Sequence, residues 1–163
     1  MHMENIRILT VVIIIGLLFA APTTIFAGQN NIEIVEGQCS DTSHTAEGPI
    51  GSNLTNRQSR FFCDTAVIIF LDKNKKHIQI NFSQKESRHN QILGFAGRID
   101  DEGIMLKLER VYLTPGIPTT VSDGWCKFFF KKPRLTSIFC GMKVDEVGRR
   151  TTAMVVFDTV EGQ

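Results

Sequence analysis

Four cysteines, Cys39, Cys63, Cys126 and Cys140, are the side chains of this 163-residue chain with the widest chemistry open to them. A thiol nucleophile needs a base beside it, and a redox couple takes the C-x-x-C spacing. None of the four stands in such a motif, and each has a plausible structural partner. An even set of cysteines in an exported chain reads instead as two disulfides. Three connectivities are open. The preferred one joins Cys39 to Cys63 and Cys126 to Cys140, because the second pair falls in register on one predicted hairpin and the first staples a polar segment to the strand after it.

Three histidines beyond the N-terminal region, His44, His77 and His89, lie too far apart in sequence for one helix or tight turn to present two metal ligands. No metal site and no cofactor is expected. The carboxylates of Asp100, Asp101 and Glu102 cluster in a predicted turn, where acidic residues are commonplace. Asp64 differs, because it interrupts an apolar strand pattern beside Cys63. It is the candidate buried polar residue, and a buried carboxylate needs a hydrogen bond or a cation, for which Arg60, Arg98 and Arg110 are the candidates. There is no G-x-S-x-G elbow and no phosphate-cradling glycine loop.

The run Lys127-Phe128-Phe129-Phe130-Lys131-Lys132-Pro133-Arg134 interleaves aromatic and basic side chains. Lys127, Lys131, Lys132 and Arg134 are the candidate partner-binding residues, suited to an anionic headgroup, a glycan or an acidic protein face. Strand alternation would send one or two of these Phe into a core and leave the rest as a basic turn. Two N-glycosylation acceptor tripeptides, Asn53-Leu54-Thr55 and Asn81-Phe82-Ser83, matter only in a host that glycosylates exported chains.

Export is read from the N-terminus. Ile8 to Ala21 is an almost unbroken apolar run closed by Pro22, shorter than the about 20 residues a membrane-spanning helix needs. Ala27 follows Ile25 two positions on, which places cleavage after Ala27 and predicts a periplasmic or secreted protein without a permanent membrane anchor. Nucleic acid is then not an expected partner. Removing residues 1–27 takes away Arg7 and Glu4 and leaves the formal charge of +1 unchanged, so no obligatory polyanion is implied by bulk charge.

The elements that must position these residues are strands. His77 to Ser83 alternates Ile78, Ile80 and Phe82 with Gln79 and Asn81, the pattern of a half-exposed strand. Phe61 to Leu71 is apolar on both faces, as in a strand buried on two sides. Ile92 to Ile99 carries Gly94 and Gly97, which mark a bulge, a sharp coil or a close approach. Parity slips at Glu109-Arg110, predicting a bulge there. Trp125 to Lys131 and Leu135 to Lys143 form a hairpin with Cys126 opposite Cys140, Phe128 opposite Ile138 and Phe130 opposite Thr136. Thr151 to Phe157 is a last strand. No stretch after Ala27 has helical periodicity with caps.

The fold class that follows is all-β, an antiparallel meander forming a small sandwich or barrel stapled by two disulfides. Its organisation is a cleaved signal peptide over 1–27, a polar irregular lead-in with a short strand over 28–59, and an antiparallel β domain over 60–163. The function expected is that of an exported non-catalytic binding domain of the inhibitor, immunity or accessory type, contacting a protein or an anionic envelope surface. The alternative is a small-molecule or lipid carrier with an apolar cavity, its glycines Gly94 and Gly97 admitting the ligand. A minimal hydrolase comes third.

Overall fold

The computed structural model describes residues 31–84 and 92–160. The expected signal peptide lies outside the described residues. Eleven strands run in chain order: β1 (Ile32–Cys39), β2 (His44–Pro49), β3 (Gln58–Arg60), β4 (Thr65–Phe70), β5 (His77–Ser83), β6 (Leu93–Ile99), β7 (Met105–Thr114), β8 (Ile117–Thr120), β9 (Asp123–Lys131), β10 (Arg134–Glu146) and β11 (Arg149–Thr159). Among the described residues every pairing is antiparallel.

Eight of them close on themselves in the order β1-β4-β5-β6-β7-β9-β10-β11, with β11 returning to β1 through Gly37 opposite Thr159 and Cys39 opposite Phe157. The result is an eight-stranded barrel. β8 folds back on β7, and β2 with β3 extends the sheet outward from β11. Closure removes the sheet edges that an open meander would expose.

Period-two alternation sets the inside of the barrel. Ile80, Phe82, Phe95, Leu106, Val111, Ile138, Val155 and Phe157 are all fully buried. Phe82 meets Phe95 edge-on at 5.9 Å and Phe157 at 5.6 Å, so aromatic rings fill the axis. At eight strands the interior of a barrel is just wide enough for side chains to fill it. The outer wall carries His77, Gln79 and Asn81 on β5 and Arg98 on β6, facing away from Ile78, Ile80 and Phe82.

Both disulfides form with the expected partners, Cys39 to Cys63 and Cys126 to Cys140. The first closes a loop of 24 residues; chain entropy makes such a link worth about 3 kcal/mol. The second joins directly opposed residues of β9 and β10, with Cα atoms 4.0 Å apart. The predicted bulge is also present: Ala96 faces Arg110 and Gly97 faces Leu108, leaving Glu109 as the extra residue. Gly97 is required there, because a Cβ would collide with the Lys107 carbonyl.

Three expectations need correction. Phe130 faces Leu135 rather than Thr136, because Thr136 is itself bulged out and turns its hydroxyl to the Phe129 carbonyl at 3.0 Å. The segment after Ser40 is not irregular, since β2 pairs His44–Pro49 with β11 from Met154 to Arg149, and Ala46 and Ala153 are buried beneath that ladder. The apolar stretch from Phe61 is a strand only over Thr65–Phe70, and a barrel wall has one buried face: Ala66 and Ile68 point in, whereas Val67 and Ile69 stay partly exposed.

Candidate functional site

The ladder pattern lifts the β9–β10 hairpin clear of the barrel. On one side β9 is held by β7 only as far as Lys127 opposite Met105, and the Phe128 amide bonds the Ile104 carbonyl at 2.9 Å. On the other side β10 meets β11 from Ser137 onward. Past these points the two strands form ladder pairs only with each other among the described residues, and the Thr159 hydroxyl of β11 ties the base by donating to the Leu135 and Thr136 carbonyls at 3.0 and 3.3 Å. The tip therefore outruns β7 by about three residues, ~10 Å at strand rise, while on the other side it is tied to β11 as far as Leu135.

Alternation within this projecting ribbon sorts its side chains. Cys126 and Phe128 point into the core and are buried. Phe130 continues on that inner face but lies past the rim, so it is 47% exposed. Phe129 points outward and is 41% exposed, with the Lys127 ammonium 5.1 Å from its ring centroid. Lys131, Lys132 and Arg134 are exposed around the two-residue turn. Among the described residues, none of Lys127, Lys131, Lys132 and Arg134 has a carboxylate within ion-pair distance.

Several cations elsewhere on the surface are paired. Arg60 pairs with Asp41, Arg149 with Glu47 at 2.7 Å, and Arg150 with Asp145 at 2.7 Å. The acidic turn on the same side as the hairpin is also engaged: Asp100 accepts the Ile104 amide at 2.8 Å, and Asp101 binds Lys76 at 2.6 Å. Those contacts hold both carboxyls below their ordinary value, the Ile104 amide acting first on Asp100 and the Lys76 hydrogen bond first on Asp101. Among the described residues Arg57, Lys73, Lys107 and Arg110 also lack a carboxylate within ion-pair distance, so the hairpin is set apart by the clustering of four such cations around exposed Phe rather than by their lack of partners.

Beside the hairpin, the barrel mouth opens into a cleft of about 350 Å³ floored by Ile68, Phe70, Ile99, Phe128 and Leu135, with Phe130 at its lip. Its rim carries both signs, Lys75 and Lys76 against Glu33 and Glu102. The Lys75 ammonium lies 4.5 Å from the Phe70 ring centroid.

The other candidates have local explanations. Asp64 is half-buried in the bend before β4, where Thr65 donates its hydroxyl to the Asp64 carboxylate at 2.8 Å. Among the described residues, the buried polar ones are its neighbour Thr65, and Ser43. Of the proposed cationic partners, Arg60 goes to Asp41 and Arg98 reaches His77. His44 bonds the Thr42 carbonyl, and His77 the Asp72 carboxylate at 2.8 Å, while His89 lies outside the described residues. Among the described residues, no three His, Cys, Asp or Glu side chains gather as a metal site. Gly94 and Gly97 do not open a passage; a Cβ at either would meet Asn81 and Tyr112, or the β7 backbone. Of the two acceptor tripeptides, Asn53 is exposed, whereas Asn81 accepts a hydrogen bond from Gln79 on the wall.

One feature escaped the sequence reading. Trp125 is 42% exposed on the outer wall and packs against Phe139 at 5.1 Å, two residues from Lys127 and four from Phe129 along the same face. Parity would have found it, since an inward Cys126 sends Trp125, Lys127 and Phe129 out together.

The two formed disulfides are compatible with an oxidising extracellular or periplasmic compartment. In comparison with known proteins, no protein family, no curated protein and no solved structure matches the chain.

Proposed function

We propose that the chain is an exported, non-catalytic binding domain of the cell envelope or exterior, and that it holds an anionic partner with the projecting β9–β10 hairpin. The observation that carries this reading is the tip itself, where Phe129 and Phe130 are exposed on opposite faces amid four cations without carboxylates. Leaving like charges together is unfavourable for the isolated domain, and an anionic partner relieves it. A periplasmic or secreted location is supported by the apolar run Ile8 to Ala21 and by the two disulfides.

Retention by the native envelope fraction tests the reading. The protein should be held in a salt-sensitive manner, and the K131S/K132S/R134S variant should be released while its fold and disulfides are intact. Equal retention of variant and parent rejects the site.

A second reading, a carrier of a small apolar molecule, is favoured by the mouth cleft, whose volume falls in the range of ligand pockets. It places the ligand at the mouth, because the barrel axis is filled by Phe82, Phe95 and Phe157. Native mass spectrometry of freshly purified protein separates the two: a carrier retains an apolar ligand and a surface binder does not.

A further inference from the structure

We infer that the anionic partner is a lipid bilayer surface, into whose headgroup region the hairpin inserts Phe129 and Phe130 while Lys127, Lys131, Lys132 and Arg134 lie among the phosphates. This rests on the hairpin being the binding element and names what it binds.

The geometry separates a bilayer from a folded protein. A flat protein surface covers one face of a β-ribbon. Here the exposed apolar side chains are on both faces of adjacent rungs, Phe129 outside and Phe130 with half-buried Leu135 inside, and each Phe is more than two-fifths exposed. A fluid interface surrounds an inserted tip and removes both faces from water at once. The ~10 Å by which the ribbon outruns β7 is of the order of the ~5–10 Å to which interfacial segments bury their apolar groups.

The charges sit where such insertion needs them. Lys131, Lys132 and Arg134 ring the turn, and long cationic side chains reach back to headgroups while their stems stay in apolar surroundings. Lys127, four residues nearer the barrel than Lys131, lies against the Phe129 ring at the level where the phosphates would be. The barrel itself is not placed in the hydrocarbon. On β5 and β6 its wall turns His77, Gln79, Asn81 and Arg98 outward, and although Ile32, Ile34, Val67 and Ile69 face out on β1 and β4, the outer face lacks the unbroken apolar band of a lipid-facing barrel. The interaction is therefore peripheral and reversible.

Co-sedimentation of the exported, disulfide-bonded protein with vesicles tests this. Vesicles containing phosphatidylglycerol should bind it and pure phosphatidylcholine vesicles should not, with binding falling as salt rises. The K131S/K132S/R134S variant should lose roughly 100-fold in partitioning, and the F129S/F130S variant on the order of 10-fold or more. All these positions are exposed, and far-UV circular dichroism with a thiol count verifies each fold. Depth is read separately by placing F130W in a W125F background, where brominated acyl chains should quench the fluorescence.

No binding to phosphatidylglycerol vesicles overturns the bilayer assignment. So does binding that F129S/F130S leaves unchanged, or fluorescence that brominated lipid does not quench. If vesicles fail but the envelope fraction still releases the charge variant, the hairpin binds an acidic protein or glycan and only the bilayer is wrong. If the charge variant behaves as the parent in both assays, the hairpin reading falls as well.

Discussion

The Ser43 hydroxyl oxygen accepts the Val156 amide at 3.0 Å and donates back to the Val156 carbonyl at 3.3 Å. This happens where β11 changes partners, its residues 149–154 pairing with β2 and 157–159 with β1. Between the two ladders Val156 would have no strand opposite it on that side. A fully buried serine side chain supplies the missing rung, and the Ser40 amide adds a bond to the same carbonyl at 2.8 Å.

Ser43→Ala should therefore destabilise the domain more than an ordinary serine deletion. The substitution leaves the half-buried Val156 amide without its partner, which costs about 1–3 kcal/mol. Chemical denaturation measures this. A loss below the error of the fit would mean that water or a shifted backbone takes over the rung.

A second prediction concerns the β10–β11 turn. Glu146 pairs with Arg149, so Val147 and Gly148 are the two turn residues, and both have positive φ, 48° and 76°. Glycine adopts this freely, whereas a β-branched residue does not. Val147 is fully exposed and has no packing to offset the strain. Val147→Asn should stabilise the fold by about 1 kcal/mol and raise the thermal midpoint. An unchanged or lower midpoint contradicts the turn assignment.

The same hairpin gives the pH dependence a defined contributor. Arg150 holds the Asp145 carboxylate through two hydrogen bonds, at 2.7 and 2.8 Å, and these keep its pKa below the ordinary value of 3.8. A depressed carboxyl stabilises the fold above its unfolded value and loses that contribution as pH falls through the folded one. Asp72 is lowered in the same sense by the His77 side-chain hydrogen bond. Denaturation midpoints should thus fall on acidification below 3.8, and Asp145→Asn should flatten part of that decline. A variant with an acid limb as steep as the parent's would remove Asp145 from the account.

Much of the framework was legible in the sequence because it is governed by parity. With Cys126 and Cys140 opposed, Phe128 must face Ile138, and the slip at Glu109 must be a bulge. Closure of the barrel was not legible, because Gly37 meets Thr159 across nearly the whole chain and no local pattern announces it. β2 was missed for a different reason. Its residues His44–Pro49 have turn-like composition, and they form a strand because β11 offers them a ladder. At the candidate site, the basic residues were visible at once, but the exposure of Phe129 and Phe130 was not. It depends on where β7 and β11 stop supporting the hairpin, and the Thr136 bulge shifts the register there by one residue.

Hydrogen exchange of the protein with and without the native envelope fraction tests the central claim most directly. The account predicts slower exchange confined to peptides spanning Lys127 to Thr136, reversed by salt and absent in K131S/K132S/R134S. Protection at the opposite end of the barrel, with the hairpin amides exchanging as in the free protein, would contradict it.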